Sequence, residues 1–303
     1  MRRMRAIRGF RGAALALCAS GLAACASGPR ELALLVRPRI GDTYRYEAET
    51  YGTVMDLDHA TAGDKHSTRR EIAVRVRDVA PGKFVTLEAR IERTTLTVKG
   101  ALPLYFDSND PSTHEAAQRH PDGALARVMN GRPIFVTVMR EGGVLKADSE
   151  EILREARARR GAGETWEQRV RAEIAALAKL VAWQHTTLTA VRPGARWTDR
   201  SVSFGPITLE CEAVRTFEGT EGMNGRRCAR FETRVERPPP IRDLLIGGWE
   251  AWSTSWVDLE TGILVEHRFR YAVVCGFRGG ETADADYRGR VTLLEGKFPV
   301  TED

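Results

Sequence analysis

The stretch Ile72-Ala73-Val74-Arg75-Val76-Arg77, then Ala80-Pro81-Gly82, then Val85-Thr86-Leu87-Glu88-Ala89-Arg90-Ile91-Glu92 decides the fold. Apolar and polar side chains alternate on both sides of a Pro-Gly turn. Successive side chains of a strand point to opposite faces, so a period of two means a hairpin with one buried and one wet face. A second hairpin runs from about Thr208 to Val235, with Ala229, Phe231, Thr233 and Val235 as its inward row. Its turn holds Asn224-Gly225, a pair that tolerates the positive φ of a tight turn.

The two hairpins look like copies. Glu88-Ala89-Arg90-Ile91-Glu92-Arg93 echoes Glu232-Thr233-Arg234-Val235-Glu236-Arg237. Upstream, Gly41-Asp42-Thr43-Tyr44 echoes Gly194-Ala195-Arg196-Trp197. Downstream, Phe135-Val136-Thr137-Val138 through Gly143-Val144-Leu145 echoes Ser255-Trp256-Val257-Asp258 through Gly262-Ile263-Leu264. Three echoes in one order predict an internal duplication. The first copy is longer by residues 100–131, a turn-rich insertion with a short helix.

Between the copies lies the strong helical signal. Ser149 is expected to cap a helix reaching about Arg159, Gly161-Ala162-Gly163 breaks it, and Thr165 with Gln168 forms a capping box. Trp166, Val170, Ile174, Leu177 and Val181 then fall on one helical face, with Arg169, Arg171, Glu173 and Lys179 off it. Packing on the sheet is the expectation, and a partner-binding helix the alternative. Pro238-Pro239-Pro240 is a stiff connector. Trp252, Thr254 and Trp256 share one face of the following strand, and Asp258 to Gly262 is its turn. The expected fold is mainly β with inserted helices (α+β). It is an antiparallel curved sheet or half-barrel built from repeats at 37–148 and 186–303, with the 149–185 helical insertion packed on it.

Residues 1–24 read as a signal peptide. Arg2, Arg3, Arg5, Arg8 and Arg11 form a positive region, and Ala13 to Leu22 a short apolar run. A membrane span needs roughly 20 apolar residues, so the run is too short for one. Leu22-Ala23-Ala24-Cys25 resembles the lipobox of bacterial lipoproteins. The resemblance implies a diacylglycerol group on the Cys25 thiol, cleavage before Cys25, acylation of the new N-terminus (palmitate), and a membrane partner through that anchor, with 25–36 as a tether. Ala26 and Ser27 follow, with no Asp at the second position, which under the sorting rule of such lipoproteins favours the periplasmic face of the outer membrane. Removing the five signal arginines from 46 Lys+Arg leaves 41 against 41 Asp+Glu, a neutral chain. The high isoelectric point therefore carries no indication of nucleic acid.

Of five cysteines, Cys18 leaves with the signal and Cys25 is the anchor, so Cys211, Cys228 and Cys275 remain. Cys211 and Cys228 flank the second hairpin's turn and are candidate disulfide partners. Their strand phases put them on opposite faces unless a bulge intervenes.

No motif for chemistry stands out, so no catalytic residue, metal ligand or cofactor is assigned. The histidines His59, His66, His114, His120, His185 and His267 show no metal spacing, and there is no nucleophile elbow, phosphate loop or dinucleotide fingerprint. Asp56 with Asp58, and Glu210 with Glu212, are in phase on strands and read as wet-face pairs. Tyr105-Phe106-Asp107-Ser108-Asn109-Asp110-Pro111, Gly131-Arg132-Pro133 and Val136 to Leu145 together resemble a family of uncharacterised secreted bacterial proteins bearing a domain of unknown function. That resemblance implies a β-rich exported domain and supplies no activity.

The first functional expectation is a non-enzymatic envelope lipoprotein binding an apolar ligand or an envelope protein. Trp252, Trp256, Trp166, Ile174 and Leu177 are its candidate cavity residues. The alternatives are an envelope hydrolase without a recognisable motif and a structural or assembly lipoprotein.

Overall fold

A computed structural model of the chain describes residues 32–34, 38–53, 64–81, 83–139, 143–158, 164–182, 188–199, 202–204, 207–209, 212–237, 245–276 and 282–297. The signal segment, Cys25, Asp56, Asp58, His59, Gly161 to Gly163, His185, Glu210, Cys211 and Pro238 to Pro240 lie outside them.

The opening hairpin is β3 (Lys65–Ala80) and β4 (Phe84–Lys99), preceded by β1 (Leu32–Leu34) and β2 (Thr43–Thr53). Ile72, Val74, Val76, Leu87, Ala89 and Ile91 are buried, as their alternation requires. The 100–131 insertion then supplies β5 (Leu104–Asp107), a 3-10 turn, α1 (His114–Arg119) and α2 (Pro121–Met129). The chain goes on through β6 (Pro133–Met139), β7 (Val144–Asp148), α3 (Glu150–Ala158) and α4 (Glu164–Ala182). The short strands β8 (Leu188–Val191), β9 (Arg196–Asp199), β10 (Val202–Phe204) and β11 (Ile207–Leu209) follow. The second hairpin is β12 (Ala213–Met223) and β13 (Arg226–Val235), and β14 (Leu245–Asp258), β15 (Leu264–Gly276) and β16 (Thr282–Lys297) complete the chain. Asn224 and Gly225 take φ of 49° and 75°, the twist a two-residue hairpin turn needs.

Twelve strands form one open, curved antiparallel sheet. Its order is β7-β6-β4-β3-β2-β16-β15-β14-β13-β12-β9, with β5 beside β4. β2-β3-β4-β6-β7 and β9-β12-β13-β14-β15 are each a meander in chain order, and β16 joins them by pairing with both β15 and β2.

The starts of the two meanders carry matching hydrogen bonds. Gly41 N–H donates to Val76 O (3.0 Å) and Val76 N–H returns to Asp42 O (2.9 Å). Gly194 N–H donates to Phe217 O (2.7 Å) and Phe217 N–H returns to Ala195 O (3.0 Å). Both glycines have positive φ, 94° and 84°, a conformation in which a Cβ is strained.

One face of the sheet is covered by helices. Tyr44, Tyr46, Ile72, Leu87 and Val136 of the sheet pack in one core with Met129, Ile152, Ile174 and Val181 of the helices. Ser149 caps α3 as expected, accepting from Ile152 N–H (3.4 Å) and donating to Pro133 O (2.7 Å). His120 caps α2 through its ring, accepting from Asp122 N–H (3.1 Å), with Pro121 in the first turn. The opposite face of the sheet carries charged and aromatic side chains.

Candidate functional site

The helices pack on one face of the curved, open sheet. A cleft of about 510 Å³ is left between β2, β3, β4, β15 and β16 below and α2 and α4 above. This lies within the usual size range of small-molecule sites.

α4 builds one wall because it carries two adjacent stripes. Val170, Ile174, Ala178 and Val181 are buried in the core. Arg169, Ala172, Glu173, Ala176, Leu177 and Leu180 recur at three- and four-residue steps and line the cleft. Alanine at 172 and 176 leaves room where longer side chains would close it. α2 supplies Pro121, Asp122, Leu125 and Ala126, and the strands below supply apolar Ala48, Ile72, Leu96, Phe269 and Val291 together with polar Thr50, Thr68, Arg70, Thr94 and Tyr287.

Charged side chains line the cleft together with apolar ones. Arg70 pairs with Glu173 (2.5 Å), joining sheet to helix. Arg169 binds Asp122, and His66 Nδ1 lies 3.7 Å from the same carboxylate. Asp64 also lines the cleft. Tyr287 borders the cleft with its phenol pushed up to about 12 by burial, so it stays neutral at any physiological pH.

Of the five cavity residues expected from sequence, the structure brings Leu177 to the cleft. Ile174 is in the core beside it, and Trp166 packs half-buried against that core. Trp252 and Trp256 do share a face, but it is the face away from the helices. Trp252 pairs with Arg270, and its Nε1–H donates to Glu250 (3.0 Å). Trp256 is buried beside Cys228 and Val265, donates to Glu221, and has the Arg268 guanidinium 5.1 Å from its ring centroid. The sequence fixes the phase of the indoles, while the side on which α4 docks decides which face is covered. The α2 wall was missed; Pro121 behind a capping residue was the available signal.

Cys228 is a free buried thiol, raised to about 11 by burial and by Asp258, and Cys275 is likewise buried and raised by burial. Neither has the lowered pKa of a reactive cysteine. Cys211, the expected partner of Cys228, lies outside the described residues. Ser255 Oγ and His267 Nδ1 are 2.9 Å apart on β14 and β15, but only 1% and 4% of these residues is exposed. Burial, and secondarily the Arg215 charge, lowers His267 to about 4, so the ring is neutral and sealed from substrate. Among the described residues no group of three His, Cys, Asp or Glu side chains is placed to hold a metal, and no helix is long and apolar enough to cross a membrane.

The fold and cleft define an open antiparallel sheet with a helix-roofed amphipathic site. No protein-family model and no curated protein matches the chain. Among solved structures it is similar to lipovitellin, in a study of lipid–protein interactions, with TM-score 0.48 and 7% identity. That similarity covers 88% of this chain but spans only 26% of the lipovitellin chain. It is also similar to a protein of YmcC-like fold from Bacteroides fragilis, with TM-score 0.29 and 9% identity over 88% of this chain and all of the other. A DUF1329 family protein from Desulfovibrio piger gives TM-score 0.12 and 9% identity over 87% and 88%. None of these likenesses is strong enough to carry a functional argument.

Proposed function

We propose that the protein is an exported, lipid-anchored binding protein that holds one amphipathic small molecule in the cleft between α4, α2 and the sheet. The carrying observation is the second stripe of α4. Residues 169, 172, 173, 176, 177 and 180 line a cleft of about 510 Å³, with alanines at 172 and 176. A helix with no ligand to accommodate gains by filling such space, because empty apolar volume forfeits contacts on every wall. The apolar side chains Ile72, Leu96, Phe269 and Val291 suit a hydrocarbon portion, and the paired charges of Arg70, Glu173, Arg169 and Asp122 suit a polar group.

The anchor reading rests on Leu22-Ala23-Ala24-Cys25 and places this work beside a membrane, with the outer membrane favoured. The alternative, an envelope hydrolase, would have to work from the part of the cleft where His66 faces Asp122 beside Asp64. A structural or assembly role would act through the surface and leave the cleft without an occupant.

Fluorescence titration with cis-parinaric acid tests the cleft. The native protein is expected to bind at one site, and Ala172→Trp is expected to lose binding by tenfold or more while melting normally. Equal binding by both proteins would place the apolar site elsewhere. Hydrolysis of acyl esters that His66→Ala abolishes, with parinaric acid binding retained, would favour the hydrolase.

A further inference from the structure

The face of the sheet away from the helices carries a second concavity, a groove of about 1020 Å³ crossing β14, β15, β16, β2, β3, β4 and β5. Toward its β14 end is a block of four arginines on the two neighbouring strands β15 and β16. Arg268 stands directly opposite Arg290, and Arg270 directly opposite Arg288. Like charges facing across strands are destabilising, and this block contains two such pairs.

Carboxylates on either side hold the block in place. Glu266 accepts from Arg268 Nε (2.5 Å) and Arg290 Nη2 (2.7 Å). Burial works to raise the Glu266 carboxyl, but the two guanidiniums outweigh it and hold it below the usual range. Asp286 accepts from Arg270 and Arg288, and Glu250 from Arg270. The depth of the charges differs. The Glu266 side chain is fully buried, whereas those of Arg268, Arg288 and Arg290 are 49%, 58% and 48% exposed. A guanidinium has five N–H donors, and each of these three gives one to a carboxylate. The surface thus presents fixed guanidinium donors, with the best-buried compensating charge beneath them.

Aromatic rings flank the block along one cross-strand row. Trp252 pairs with Arg270, which pairs with Arg288, which pairs with Tyr51. The row continues through Ser67 and Thr97 to Tyr105. Tyr51 and Tyr105 are 53% and 55% exposed, so their rings are open to a ligand lying in the groove. Strands lie about 4.8 Å apart, so the three rings sit about 14 Å from one another along a row of about 29 Å.

We propose that this groove binds a linear anionic glycan, lying across the strands with its acidic groups on Arg268, Arg288 and Arg290 and its sugar rings on Trp252, Tyr51 and Tyr105. Guanidinium forks match carboxylate and phosphate groups, and flat aromatic faces match the apolar faces of pyranose rings. The length of the row favours a polymer over a small ion. A recessed groove favours a rod over a planar bilayer. The ring spacing disfavours single-stranded nucleic acid, whose successive bases stack on closely spaced platforms.

The test is isothermal titration of the mature chain with oligomannuronate, a linear uronic-acid polymer, against dextran, oligo-dT and phosphatidylglycerol vesicles. Oligomannuronate is expected to bind, more weakly as salt rises, and dextran is not. The double variant Arg288→Gln/Arg290→Gln leaves Glu266 and Asp286 paired with Arg268 and Arg270. It is expected to stay folded, with a melting temperature lowered by the lost Arg290–Glu266 bond, and to keep its parinaric acid binding while losing glycan affinity by about tenfold or more. Tyr51→Ala is expected to weaken binding without changing its salt dependence. Absence of oligomannuronate binding, binding unaffected by the arginine variant, or tighter binding of oligo-dT or vesicles would each overturn the proposal. Parinaric acid binding reports the cleft on the other face, so the two sites fail independently.

Discussion

His267 is enclosed between β14 and β15 with the Ser255 hydroxyl at 2.9 Å. In an unfolded chain its ring titrates near 6.5, and in the fold burial lowers this to about 4. Below about pH 6.5 the unfolded chain takes up a proton that the folded chain refuses. The ring's contribution is therefore whole above that pH and is lost as pH falls toward 4, by about 3 kcal/mol in all. Urea denaturation at pH 7 and pH 4.5 is expected to show this loss, and His267→Gln to show a smaller one; parallel losses would remove His267 as the cause. Gly52 is constrained by its backbone. Its φ is 145°, and a Cβ there would meet Asp286 O at 2.0 Å across the β2–β16 pairing that joins the two meanders. Gly52→Ala is expected to cost about 1–3 kcal/mol, read as a lower urea midpoint. Neither feature was legible beforehand. Histidine at 267 and serine at 255 become neighbours only through a register that alternation does not set, and Gly52 stands in no turn motif.

Two stripes on α4 do two jobs, and substitutions on each should separate them. Ile174→Ala in the core is expected to destabilise the fold by about 2–5 kcal/mol and to leave parinaric acid affinity within a few-fold under native conditions. Ala172→Trp should do the reverse. If both variants changed stability alone, the second stripe would be packing surface. The helix and its core stripe were legible because Val170, Ile174 and Val181 repeat at the helical period, with Leu177, which lines the cleft, in phase with them. The rest of the second stripe was hidden by its alanines and charges, Arg169 and Glu173 having read as lying off the apolar face. The hairpin at 72–92 was legible from alternation and the second from Asn224-Gly225, but the second begins at Ala213 and not near Thr208, because Ile207–Leu209 pairs with β10 instead. Which face would be roofed was not legible: Trp252 and Trp256 stand in phase with Arg268 and Arg270 across the ladder, and cross-strand partners are invisible in one sequence. The matched hydrogen bonds at Gly41 and Gly194, with strands in the same order after each, support the proposed duplication.

At the scale of the molecule, one sheet separates two unlike surfaces, an amphipathic cleft under helices and an arginine-rich groove on the far side. A lipid at Cys25 would tether both near a membrane. Cys25→Ser in the full precursor is expected to move the protein from the membrane fraction to the soluble fraction, since acyl chains supply the anchoring. Retention at the membrane would place the attachment elsewhere. Native mass spectrometry of the protein purified without detergent reads the occupant of the cleft directly. A single amphipathic adduct per chain, lost in Ala172→Trp, is expected. A bare chain that also fails to take up parinaric acid, or an adduct that Ala172→Trp retains in full, would contradict binding in the cleft.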